Sequence, residues 1–129
     1  NGRIGRDADG EPTGLLQEAA ADLVHSRLPA VTADEAYRAV LAELTQAASY
    51  GLTSVQDAGA SAPGSLKLAA YERAAAERTL PIRVRVALPF ERDVTPARLA
   101  ELVRLRDGHR DEWLSFGIVK GMLDGTVDG

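Results

Sequence analysis

Residues 81–89 read Pro-Ile-Arg-Val-Arg-Val-Ala-Leu-Pro, the most strongly alternating stretch in the chain. The even-numbered positions from 82 to 88 are aliphatic, whereas positions 83 and 85 are arginine. Successive side chains of a β-strand point to opposite faces, so the aliphatic residues share one face and the arginines the other. Prolines at both ends bound the segment. The stretch therefore predicts a strand with one face in an apolar core.

Two further segments flank this strand at similar distances along the chain. Residues 52–57 have the composition of a short strand, and a final strand is expected between Trp113 and Met122. The three strands start near positions 52, 82 and 116, and this spacing is about the thirty-residue length of a right-handed βαβ unit. It favours a parallel α/β arrangement, either an open sheet or consecutive units of a (β/α)8 barrel.

Amphipathic helices are predicted between the strands. Thr32 and Glu35 have the spacing of a capping box, which marks the start of the clearest helix. A second helix is expected over residues 66–78. Thr95 has the position of an N-cap for a third helix, which carries proline at its first position and continues to Gly108.

The N-terminal residues 3–16 have the pattern of a β-hairpin that reverses at Asp9-Gly10, and a helix is expected to follow from Gln17 to Arg27. We interpret residues 1–129 as one α/β domain with βα units from about residue 52. Three units are fewer than the eight that close a barrel, so a barrel built from them is incomplete.

Composition excludes several classes of function. The chain has no cysteine, so disulfides, zinc–thiolate clusters and thiol nucleophiles are excluded. A formal charge of −4 gives no basic field for nucleic acid. The apolar runs are far shorter than the roughly 20 residues of a membrane span. We expect a cytoplasmic protein with neither a nucleic-acid nor a membrane partner.

Candidate functional residues lie where the predicted strands end, because reactive groups of parallel α/β enzymes gather at the carboxyl ends of strands. This rule selects Asp57 after the first strand, the Pro89-Phe90-Glu91 turn after the second, and Lys120 and Asp124 at or after the third. A lysine in an apolar strand is costly to bury unless it has a partner or a function. The structural alternatives are a turn or cap role for Asp57 and a water-directed side chain for Lys120.

Other charged residues have simpler interpretations. Arg83 and Arg85 are expected to pair with neighbouring carboxylates, and binding of an anionic substrate is the alternative. His25 and His109 belong to no metal-binding spacing and are expected on the surface. Glu18 opens the helix after the hairpin, where the helix dipole favours a carboxylate.

Four segments occur in an informative order. They are RDADGEPTGLLQE (6–18), GLTSVQD (51–57), LPIRVR (80–85) and VKGMLDG (119–125). The series resembles the third family of metal-dependent amidohydrolases, the relatives of N-substituted formamide deformylase, and the resemblance spans essentially the whole chain. It implies that the chain is an internal fragment of a (β/α)8 TIM-barrel domain.

The resemblance also implies a chemistry. Such enzymes cleave amide-like C–N bonds with water activated by a divalent metal ion, usually zinc. Lys120 matches the metal-binding lysine of the family's fourth barrel strand, which can be carbamylated, and Lys120 and Asp124 become the candidate catalytic residues. Asp57 and Glu18 become candidate contacts of a small amide-like substrate. The chain lacks the family's HxH pair, so the fragment itself is expected to hold no metal and to be inactive.

Two alternatives stay open. The chain can be a complete, non-catalytic α/β module for binding or regulation, which predicts a monomer with a closed core. A barrel fragment instead leaves strand edges exposed and is expected to form a homo-oligomer or a swapped dimer. A second enzymatic alternative uses Asp57 and Asp124 as paired carboxylates for Mg²⁺.

Overall fold

A computed structural model describes residues 2–59 and 63–122 of the chain. These residues fall into two compact units, 2–30 and 31–122. The first unit is a hairpin with a short helix, and the second contains a parallel sheet and three long helices. None of the helices in these ranges is long and apolar enough to cross a membrane.

The hairpin of the first unit pairs strand β1 (Gly2–Arg6) with strand β2 (Pro12–Glu18) in antiparallel fashion. Its turn is stabilised by the Asp7 carboxylate, which accepts hydrogen bonds from the backbone N–H groups of Asp9 and Glu11 at 3.0 and 2.9 Å. A carboxylate that satisfies backbone donors in this way is the usual reason for aspartate at a turn. The hairpin predicted for residues 3–16 is confirmed, and its strands extend to Gly2 and Glu18.

The helix predicted from Gln17 to Arg27 is much shorter in the structure. Gln17 and Glu18 continue β2 and pair with the first residues of β1. A single 3-10 turn (Ala19–Ala21) follows, and α1 covers only Asp22–His25. Helix propensity at the start of the segment is overridden by strand pairing, so that part of the prediction was wrong.

The second unit confirms the predicted parallel strands. Strands β3 (Ser54–Asp57), β4 (Arg83–Pro89) and β5 (Leu114–Lys120) form one parallel sheet in the order β3-β4-β5. The sheet is preceded by helix α2 (Ala33–Ser49), and helices α3 (Leu66–Ala76) and α4 (Pro96–Gly108) connect its strands. The protein is therefore mixed α/β with a small parallel sheet.

One continuous apolar core joins the sheet to the helices. The even-numbered positions of β4 are buried as the alternation predicts, while Arg83 and Arg85 are exposed. Burying each large aliphatic or aromatic side chain contributes about 1.5–3 kcal/mol. The buried residues of this core are Val40, Leu44, Leu68, Ala70, Tyr71, Ala74, Leu80, Ile82, Val84, Val86, Leu88, Leu102, Leu114 and Phe116.

The three long helices start at capping residues. Thr32 accepts from the N–H of Glu35, whose carboxylate accepts from the Thr32 N–H at 2.8 Å, which is the predicted capping box. Ser65 caps α3, and Thr95 caps α4 as expected. Such caps each stabilise a helix by about 1 kcal/mol, because they satisfy N–H groups that have no partner inside the helix.

Helices α2 and α3 end in the same hydrogen-bonding motif but with different residues. At the end of α2, Gly51 has φ of +85° and its N–H donates to Ala48 at 2.9 Å. At the end of α3, Arg78 has φ of +56° and its N–H donates to Ala75 at 3.1 Å. The left-handed conformation is free of steric cost only for glycine, so the α3 terminus carries strain that the α2 terminus avoids.

We therefore expect Arg78→Gly to raise the free energy of unfolding by about 0.5–1 kcal/mol, because it removes the side chain that opposes a left-handed residue. Gly51→Arg is expected to lower it by about 1 kcal/mol. Urea denaturation of the chain measures both changes. Arg92→Gly is the control, because Arg92 is an exposed arginine without positive φ. If it raised the free energy of unfolding as much as Arg78→Gly does, the left-handed conformation of Arg78 would not be the cause.

Candidate functional site

The candidate site lies at the edge of the sheet where β3, β4 and β5 end. Because the strands are parallel, Asp57, Pro89 and Lys120 are the last residues at the same edge. The carboxyl ends of parallel strands are where α/β proteins place their ligands and catalytic groups. The orientation of each side chain at this edge follows from the strand register.

The register defines two faces of the sheet. Gln56, Arg85 and Ser115 form one row across the three strands, on the face opposite the apolar core. We call this side the open face, and it also carries Ser54 and Arg83. Ser54, Gln56, Arg83 and Arg85 on this face are polar and exposed, whereas Ala87, nearer the carboxyl end of β4, is apolar and buried.

A β-bulge at Gly117 decides which face receives Lys120. Phe116 pairs with Val86, but the next β4 residue, Ala87, pairs with Ile118, so β5 contains one extra residue. Without the bulge, Lys120, four residues after Phe116, would lie on the same face of the sheet as Phe116 and would point toward the core. With it, Lys120 pairs with Pro89 and lies on the open face, which is how bulges redirect side chains next to functional sites.

Lys120 is partly buried at this position. Its backbone carbonyl accepts a hydrogen bond from the Phe90 N–H at 2.9 Å. Within residues 2–59 and 63–122, its ammonium group has no hydrogen bond or ion pair. The sheet thus fixes the backbone of Lys120, while its ammonium group has no partner among the described residues. Asp124, the other predicted catalytic residue, lies outside the described residues.

Asp57 has a different environment from the one its strand-end position suggested. Asp57 pairs with Val86 and therefore lies on the core face of the sheet, and its side chain is only 7% exposed. The carboxylate lies 2.8 Å from the Lys67 ammonium and accepts hydrogen bonds from the Tyr71 hydroxyl at 3.1 Å and the Gly59 N–H at 2.8 Å. These contacts tie the end of β3 to helix α3, and Gln56 is the strand-end residue on the open face.

Asp57, Lys67 and Tyr71 form a group that we call the Asp57 cluster. The surroundings of Asp57 and Tyr71 determine their charge states. Burial of Asp57 opposes ionisation, but the hydrogen bonds from Lys67 and Gly59 outweigh it and lower the pKa of the carboxyl. Burial, followed by the negative charge of Asp57, raises the pKa of Tyr71 well above its usual range. At neutral pH the cluster therefore contains an ionised aspartate and a neutral tyrosine. The predicted substrate contact of Asp57 stays a prediction.

The sequence interpretation did not single out Lys67 or Tyr71. The available signal was their spacing, because residues four apart in a helix lie on one face, and both face the end of β3. Glu18 belongs to the hairpin unit, where it is exposed and has φ of +49°. Its substrate role also stays a prediction.

The described part of the chain does not assemble a metal site by itself. Within it there is no group of three histidine, cysteine, aspartate or glutamate side chains that would hold a metal ion. His25 is exposed and lies 3.8 Å from Asp22. His109 was expected on the surface but is only 27% exposed, because it lies 3.3 Å from Glu72 and packs edge-on against Phe116.

Comparison with known proteins identifies the family. A model of the amidohydrolase family matches residues 1–129. The chain belongs to the amidohydrolase family. Members of this family generally use divalent metal ions.

Two curated relatives of this amidohydrolase chain have similar degrees of identity. The putative amidohydrolase YtcJ of Bacillus subtilis is 32% identical over 130 residues, which cover 99% of this chain and 23% of the relative. The protein LONG AFTER FAR-RED 3 of Arabidopsis thaliana is 32% identical over 133 residues, which cover 98% of this chain and 22% of the relative. The chain thus spans less than a quarter of each relative. No solved structure matches it significantly.

We expect the contribution of Asp57 to the free energy of unfolding of this amidohydrolase chain to depend on pH. Asp57→Asn is expected to lower the free energy of unfolding by about 1.5–3 kcal/mol at pH 7, because charge-assisted hydrogen bonds are lost. The pKa of Asp57 is lower in the folded chain, so its stabilisation is present above the unfolded pKa of about 3.9 and is lost as pH falls through the folded value.

Urea denaturation between about pH 5 and pH 2 measures this effect, and the difference between parent and variant should shrink as the pH falls. Glu91→Gln is the control, since Glu91 is an exposed carboxylate, and it should change stability by less than about 0.5 kcal/mol throughout. A difference for Asp57→Asn that is constant over the whole pH range would show that the charge of Asp57 does not stabilise the fold.

Proposed function

We propose that this chain is part of the (β/α)8 barrel of a metal-dependent amidohydrolase of the third family, similar to N-substituted formamide deformylase. The substrate is a small molecule with an amide-like C–N bond, which the complete enzyme hydrolyses. The family match over the whole chain supports this proposal, as does a parallel β-α-β-α-β segment with a lysine at the carboxyl end of its last strand. The relatives' greater length is consistent with a barrel completed by further strands.

The observation that carries the proposal is the placement of Lys120. The bulge at Gly117 turns this side chain away from the core and onto the open face, which becomes the interior when a parallel sheet closes into a barrel. Its ammonium group has no partner among the described residues. A lysine in this position is suited to become a carbamate, which is an anionic metal ligand.

The proposal assigns only this one ligand to the chain. Among residues 2–59 and 63–122, Lys120 is the candidate metal ligand on the open face at the strand ends, and no cluster of further metal-binding side chains surrounds it there. The proposed divalent metal ion is zinc, which binds histidine and carboxylate ligands, and its further ligands would come from other parts of the enzyme. No catalytic step at a metal is therefore assigned to these residues, and the 129-residue chain alone is proposed to be inactive.

Exposed apolar groups support an assembly larger than this chain. Leu99 and Val103 on α4 are 47% and 37% exposed, and Val119 on the neighbouring strand is 55% exposed. Monomers rarely leave such groups together at the surface, since they favour association. We expect the isolated chain to elute from a sizing column as a dimer or larger species. A stable monomer at micromolar concentration would favour the non-catalytic module instead.

The role of Lys120 is tested in the longer protein that contains this chain. Lys120→Ala is expected to reduce kcat/KM for an N-formyl or N-acyl amide by more than about 100-fold, because a direct metal ligand is lost. Metal content, measured by mass spectrometry, should fall in parallel. Protein equilibrated with ¹³C-bicarbonate should show a lysine carbamate signal that disappears in the variant.

Lys67→Ala is the matched control, since Lys67 is the chain's other lysine and binds Asp57 on the core side of the sheet. It should lower stability while leaving the metal content and the carbamate signal unchanged. Retention of both the metal and the activity by Lys120→Ala would refute the assignment. Loss of activity with the metal retained would leave Lys120 a catalytic role but remove its role as a ligand.

A further inference from the structure

The open face of the sheet carries three hydrogen-bond donors in one row. Gln56, Arg85 and Ser115 are direct neighbours in the strand register. Adjacent strands lie about 4.8 Å apart, so the three side chains start within about 10 Å of one another. All three line the same depression of about 410 Å³. The row therefore presents a guanidinium group with an amide on one side and a hydroxyl on the other.

Arg85 differs from Arg83, its neighbour on the same face of the same strand. Arg83 donates to the Glu112 carboxylate at 2.9 Å and lies over the Trp113 ring at 5.7 Å. Arg85 has no hydrogen bond, ion pair or ring contact within residues 2–59 and 63–122. The expectation that both arginines pair with carboxylates is thus confirmed for Arg83 and wrong for Arg85.

The nearby acidic groups are already engaged. Glu112 binds Arg83, and the Asp111 carboxylate accepts the backbone N–H groups of Trp113 and Leu114 at 2.7 and 2.6 Å. The carboxylate of Asp107 binds Arg110 at 2.6 Å and Arg106 at 2.9 Å. These pairs leave Arg85, like Lys120 at the strand end, as a cation of the open face without a counter-charge in the described part of the chain. The Arg85 side chain is exposed and lines the depression, so its guanidinium group can be reached by a small anion from solution.

We propose that Arg85, Gln56 and Ser115 form a binding site for the carboxylate group of a small organic acid. The guanidinium group offers two parallel N–H donors that match the two oxygens of a carboxylate. The Gln56 amide and the Ser115 hydroxyl lie in register on either side to donate to the same oxygens. The site is built from this chain's own residues and does not depend on the proposed metal chemistry.

The test is an NMR titration of the ¹⁵N-labelled 129-residue chain with sodium succinate, at constant ionic strength maintained with sodium chloride. The Arg85 side-chain N–H signal and the Gln56 amide signal should shift in a saturable manner, with a dissociation constant on the order of millimolar. Inorganic phosphate is titrated under the same conditions as a comparison anion.

Three variants decide whether Arg85 is responsible. Arg85→Gln should weaken succinate binding by at least tenfold. Arg85→Lys should weaken it less, since lysine keeps the charge but cannot form the bidentate hydrogen bonds of a guanidinium group. Arg104→Gln, which removes an exposed arginine of α4, is the control for net charge and should leave binding unchanged. Arg85→Lys also preserves the test if Arg85→Gln fails to fold.

Several results would overturn the proposal. One is the absence of saturable shifts beyond those caused by sodium chloride. Another is an equal loss of affinity in Arg85→Gln and Arg104→Gln, which would indicate a general effect of charge. Phosphate binding that is as tight as succinate binding, with the largest shifts at Arg106 and Arg110, would place anion binding at the end of α4 instead.

Discussion

The alternation of β4 is the constraint on which the rest of the structure depends. Its even-numbered side chains must leave water, and the helices on that side provide the apolar cover. Once this face is buried, the polar residues of the same strand are necessarily on the other face. The neighbouring strands adopt the same division through their register, so a core and a polar surface result from one pattern.

Local signals were sufficient to predict much of the second unit. The strands, the capping box at Thr32 and the N-cap at Thr95 depend on neighbouring residues, and the structure contains them where the sequence indicates. The helix proposed after the hairpin was wrong in extent, because pairing with β1 is a non-local interaction. The pairing state of Arg85 also depends on which carboxylates the fold brings near, and composition contains no information about that.

The two sides of the sheet have different electrostatic character. On the core side, Asp57 has cationic and hydroxyl partners, so its charge is compensated within the fold. On the open face, Arg85 and Lys120 have cationic groups without partners among the described residues. Charges that stabilise the fold and charges that remain available for ligands are thus separated by the thickness of one sheet.

The bulge at Gly117 has a consequence for how sequences of this family should be aligned. The number of residues between Phe116 and Lys120 determines which side chain of β5 lies on the open face. An alignment gap of one position in this segment would therefore match a residue of the open face with a residue of the core face. A gap between β3 and α3 has no such effect, because a connecting loop absorbs changes in length. Alignments of relatives should therefore be anchored on both flanks of Gly117 separately.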